Sequence, residues 1–125
     1  NVDVISGASN GITNLQNLES IMVTMGREIE GMSVPSNQTI SNFSKVFINL
    51  RNNINIVVLN LNTVLPDLIQ QLRANFQDYE NFYNQGRDRL MDSGTAGSFI
   101  TEIKQKSQNV QAVLIEILRE LEENN

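Results

Sequence analysis

Apolar residues recur through the middle of this 125-residue chain in steps of three and four: Ile40, Phe43, Phe47, Leu50, Ile54, Val57, Leu61 and Val64. A helix gathers residues so spaced into one stripe. A strand, whose side chains alternate between two faces, cannot. The seam passes through NINIVVLNLN at residues 53–62, whose alternation of Asn with Ile or Leu reads as a strand when taken alone. Because the spacing stays in frame on both sides, it predicts a helix across the run, one whose β-branched residues lower its intrinsic propensity.

Three further seams share this period. One contains Val4, Ala8, Gly11, Leu15, Leu18, Met22, Met25, Ile29 and Met32. Another contains Leu65, Ile69, Leu72, Phe76, Tyr79, Tyr83, Gly86 and Leu90, and the last Ala96, Ile100, Ile103, Ser107, Val110, Leu114, Ile117 and Leu121. Each is narrow with polar residues between, as in helices packed in a bundle. Gly31, Pro35 and Ser36 break the first two seams, and DSGTAGS at residues 92–98 breaks the last two. Ser98, with Thr101 and Glu102 after it, reads as the start of the last helix. The helices expected are about 4–32, 38–64, 66–92 and 98–122 in one domain of residues 1–125.

Between the middle helices stand only Leu65, Pro66 and Asp67. A tight reversal there gives an all-α, antiparallel up-down-up-down four-helix bundle. The alternative is a long central helix kinked at Pro66. Four matched helices, each about 40 Å long, favour the bundle, whereas the kinked helix would run roughly 80 Å and need a partner chain over its seam.

Composition limits the chemistry. The chain has no Cys, His or Trp, and its net charge is −5. No basic block exists, so a nucleic-acid partner is not expected. Uninterrupted apolar runs reach only the length of residues 56–59, far short of the roughly 20 residues that span a bilayer. Without His and Cys, the commonest general bases and metal ligands are missing, and the Glu-x-x-His motif of bundle metal sites cannot occur. Asp78, Glu80, Asp88 and Asp92 share the third helix with Arg87 and Arg89 and read as a solvated charged face. No enzymatic activity, metal or cofactor is expected.

Antiparallel order brings most of the aromatic residues and all the methionines, Met22, Met25, Met32 and Met91, to one end of the bundle. Met25, Phe43, Phe47, Phe82, Tyr83 and Phe99 are candidates to line a pocket for a small, lipid-like hydrophobic ligand. Tyr79 and Tyr83 stand on seam positions, where their hydroxyls need partners. Towards the other end, Ile56, Leu59, Ile115 and Leu118 fall outside the seams. They are candidates for a surface that meets a protein partner or a second copy.

SNQTISNFS holds two glycosylation sequons, making Asn37 and Asn42 candidate acceptors. The first residue is not Met, which fits signal-peptide removal and a secreted product, and fits equally a chain trimmed at its start. With 18 Asn, an acidic balance and neither Trp nor His, the chain resembles the small secreted all-helical proteins of insect saliva and body fluids. The expected function is therefore that of a secreted, non-enzymatic helical binding protein that modulates a protein partner. The alternative is a carrier of a small hydrophobic ligand at the aromatic end.

Overall fold

The computed structural model describes residues 2–123. Four α-helices follow in order: α1 (Val2–Met32), α2 (Asn37–Leu61), α3 (Pro66–Gly86) and α4 (Ala96–Glu123), with a 3₁₀ segment (Arg87–Met91) extending α3. Among the described residues there is no strand. The NINIVVLNLN run is helical throughout, apart from Asn62 in the turn that follows.

The chain reverses at Pro66. Phe43 meets Tyr83 and Phe47 meets Phe76 and Tyr79, so α2 and α3 run antiparallel. Gly7 of α1 faces Ile56 and Val57 of α2, Gly11 faces Leu114 of α4, and Asp78 of α3 pairs with Lys106 of α4. The fold is an all-α up-down-up-down bundle, and the kinked-helix alternative does not occur. α1 packs on α2 and α4, and α3 on α4. α2 and α3 are neighbours that approach each other least closely, and the diagonal pairs make no close backbone contact.

Local chemistry explains these boundaries. Ser36 caps α2, its Oγ accepting the Thr39 amide at 3.2 Å. Glu28, on α1, completes the cap from outside. Its carboxylate accepts the Ser36 amide at 3.2 Å and the Thr39 hydroxyl at 3.0 Å. Ser33 closes α1 in the left-handed conformation, φ 76°, with its amide bonded to the Ile29 carbonyl. Pro66 occupies the first position of α3, where its missing N–H costs nothing.

The ends differ from expectation in several places. α2 stops at Leu61, so Val64 is exposed. α3 tightens into 3₁₀ geometry at Arg87 instead of continuing to residue 92. α4 begins at Ala96, two residues before Ser98, because the Ala96 amide finds the Asp92 carbonyl and the Thr95 hydroxyl finds the Arg89 carbonyl. Met32 and Met91 reach the last positions of their elements and point to solvent instead of joining the apolar end.

The seams themselves form one contiguous core from Val4 to Ile117. Small residues let α1 lie close: a Cβ on Gly7 would sit 3.3 Å from Ile56, and one on Gly11 only 3.0 Å from Leu114. Large rings do the opposite between α2 and α3, where Phe43, Phe47, Phe76, Tyr79 and Tyr83 pack ring against ring and hold those helices apart. Val58 and Val113, two of the apolar residues outside the seams, are buried and complete the core.

Candidate functional site

The aromatic end is packed. Met25, Phe43, Phe47, Tyr83 and Phe99 are buried, and Phe82 is half-buried with its ring stacked on Phe99 at 5.1 Å. Cations close this end from outside: Arg87 lies over Tyr83, Arg89 over both Phe82 and Phe99, and Lys106 over Phe82. Gly86 permits the stack, since a Cβ there would stand 2.8 Å from the Phe99 ring. None of the grooves described below opens among these six candidate residues.

The two tyrosines differ. Tyr83 shares a 2.6 Å hydrogen bond with the Ser44 hydroxyl across the α2–α3 gap. The Tyr79 hydroxyl is fully buried and is the one buried side-chain polar atom among the described residues without a hydrogen-bond partner. Burial pushes its phenol well above the ordinary range. Ser107 on α4 faces it closely enough to offset part of that rise, yet no contact between them meets hydrogen-bond geometry.

The sequons carry structural work of their own. Asn37 and Asn42 are both exposed on α2. The Thr39 hydroxyl is tied to Glu28 and the Ser44 hydroxyl to Tyr83. The fold accounts for both hydroxyls without a glycan.

The four candidate partner-surface residues do not form one patch. Ile56 is exposed beside α1, and Leu59, at 78% the most exposed large apolar residue among the described ones, turns towards α3. Ile115 and Leu118 lie on α4 with Arg119, Glu122 and Glu123, and α4 is diagonal to α2. A seam pattern identifies residues left outside the core. It does not say which of them share a side of the bundle.

Leu59 belongs to a groove of about 590 Å³ along the wide α2–α3 side. Ile54, Val58 and Phe76 form its floor and Leu59 an apolar lip, while Arg51, Arg73 and Glu80 rim it. Arg51 reaches Glu80 at 3.7 Å, a long and half-exposed pair worth little energetically. Arg73 is exposed and meets no carboxylate among the described residues. The rim is thus net cationic in a chain of charge −5. Sequence reasoning did not single out Arg51, Arg73 and Phe76 together. Arg51 and Arg73 were visible as cations on successive helices, but only the width of the α2–α3 gap makes them two sides of one groove.

Among the described residues no three acidic side chains gather as a metal site, and no helix is long and apolar enough to cross a membrane. No family model, curated protein or solved structure matches the chain.

Proposed function

We propose that the chain is a non-enzymatic helical binding protein that acts outside the cell and modulates a protein partner, receiving an acidic amphipathic helix of that partner in the α2–α3 groove. One observation carries this reading: an apolar floor lies beneath a cationic rim in an acidic protein, with Arg73 presented to solvent and paired with no carboxylate among the described residues. An apolar anchor would sit over Val58 and Phe76 against Leu59, and carboxylates on either side of it would meet Arg73 and Arg51. Charge complementarity of this kind speeds encounter and selects partners.

The absence of His and Cys supports a non-catalytic role, since the carboxylates that remain are solvated or paired. The alternative carrier role has less support, because the aromatic end is filled by its own rings and capped by cations.

The test uses two synthetic amphipathic helices with the same apolar face, one flanked by Glu and one by Lys, titrated into isotopically labelled protein. The acidic peptide should shift the resonances of Arg51, Leu59, Arg73 and Phe76, and Arg73→Glu should weaken its binding about tenfold. Equal binding of the basic peptide, or shifts confined to the aromatic end, would reject the groove. Secretion is tested separately by expression behind a leader peptide with glycosidase treatment, where a mass shift at Asn37 or Asn42 is the supporting result.

A further inference from the structure

Residues 4–18 contain no charged side chain, and neither do residues 52–66, although the chain has 9 basic and 14 acidic residues. Antiparallel packing lays much of these stretches side by side, Gly7 against Ile56 and Gly11 against Asn53. The result is a bundle face without charge. Its centre is a shallow groove of about 290 Å³ lined by Asn10, Thr13, Asn14, Asn49, Asn52 and Asn53. The one nearby cation of α2, Arg51, turns away to Glu80 on α3. Solvent-facing surface is ordinarily about a quarter to a third charged. Loss of charge is the compositional mark of an interface centre. Ile48 and Ile56 flank this groove, 48% and 41% exposed.

The sequence of α2 is nearly symmetric about Asn52: Ile48 matches Ile56, Asn49 matches Asn55, and Leu50 matches Ile54. Two α2 helices crossing antiparallel at Asn52 would set Ile48 of each copy against Ile56 of the other, and Asn52 against Asn52. A two-fold axis brings like residues together, which repels charged groups. Amides are suited to it, because each carries a donor and an acceptor. The rim agrees. Asp3 shares a groove with Ile56 and Asn60, and the same symmetry carries Lys45 of one copy to that end of the other.

We propose that the neutral α1–α2 face binds a second copy of this chain, in an antiparallel two-fold dimer centred on Asn52. Residues 45–59 of α2 span about 22 Å, which makes the contact smaller than a standard interface of about 800 Å² per partner. The dimer is accordingly weak, with a dissociation constant in the micromolar range. The face is separate from the α2–α3 groove and stands or falls independently of it.

Sedimentation velocity from about 1 µM to about 1 mM is the direct test. The average mass should rise from that of the 14.0 kDa chain towards twice that value. Asn52→Asp puts two carboxylates on the axis with no change of shape, and should raise the dissociation constant at least about tenfold. Asn84→Asp, on exposed α3, should leave it unchanged. Because the chain has no Cys, Asn52→Cys should oxidise to a linked dimer much faster than Asn84→Cys. Circular dichroism verifies that each variant is folded. A mass that stays monomeric throughout, a dimer indifferent to Asn52→Asp, or equal oxidation at both positions would overturn the proposal.

Discussion

Replacing Tyr79 by Phe should stabilise the protein. The Tyr79 ring is fully buried, edge-on to Phe47 and Phe76, while its hydroxyl has no hydrogen-bond partner. Leaving a buried hydroxyl unsatisfied costs about 1–3 kcal/mol. Tyr79→Phe removes that penalty and keeps the ring contacts. The gap left by one oxygen returns only about 0.3 kcal/mol of the gain, for roughly 15 Å³ of void. The net expectation is about 1 kcal/mol of added stability. With an unfolding entropy of about 2.1 cal/mol/K per residue, that raises Tm by about 4 °C for a chain of this length.

Tyr83→Phe is the control with the opposite sign. It breaks the 2.6 Å bond to Ser44 and should lower stability by about 1 kcal/mol. Thermal and urea denaturation of both variants gives the comparison. Ser107→Ala completes a double-mutant cycle with Tyr79→Phe. The coupling energy should stay within about 0.5 kcal/mol if the two hydroxyls are not bonded. A Tyr79→Phe protein that melts several degrees lower, or a coupling well above that limit, would show that Ser107 satisfies the phenol and would refute the reasoning.

Gly86→Ala should cost about 1–3 kcal/mol in urea denaturation, because the new methyl meets the Phe99 ring at 2.8 Å and that ring is held between Phe82 and Arg89. Ser33→Gly should add about 0.5 kcal/mol, since φ 76° strains any side chain there and not glycine. The Thr39 hydroxyl, with the Ser36 amide, holds the Glu28 carboxyl below its ordinary value of 4.5. A lowered folded-state pKa gives stability that is present above that value and lost as pH falls through the folded pKa. Tm measured against pH should therefore fall less steeply on the acid side for Glu28→Gln than for the native chain.

The core was legible because burial itself writes the three-four spacing: Leu15, Leu18, Leu50, Leu72 and Leu114 are seam positions, and all are fully buried. Which helices stand close was not legible. It depends on side-chain size at facing positions, Gly7 and Gly11 on one side and Phe47 and Phe76 on the other, and the facing positions are unknown until the helices are rotated into place. The start of α4 was misread because Ser98 has the chemistry of a cap. Its hydroxyl instead donates to the Thr95 carbonyl inside the first turn. The α2–α3 groove escaped for the same reason as the close pairs, since Arg51 and Arg73 are far apart in sequence and their shared rim is a property of the gap.

The alternation in NINIVVLNLN now has a physical meaning. Residues two apart on a helix lie about 200° apart around its axis. An apolar residue at both positions therefore faces two ways: Ile54 is in the core and Ile56 is outside it. The strand-like pattern is what a helix with two apolar sides looks like when read along the chain. The inner side holds the fold, so the outer side is free to serve binding. Replacing Ile56 and Leu59 together by Lys should then change Tm by no more than about 2 °C, as surface substitutions do, while Leu50→Ala, in the core, should cost about 2–5 kcal/mol. Association is expected to respond in the reverse order, lost in the double-Lys protein and retained by folded Leu50→Ala, whose side chain lines neither surface. If the double-Lys protein unfolds instead, the outer residues are part of the core and both binding surfaces on α2 lose their basis.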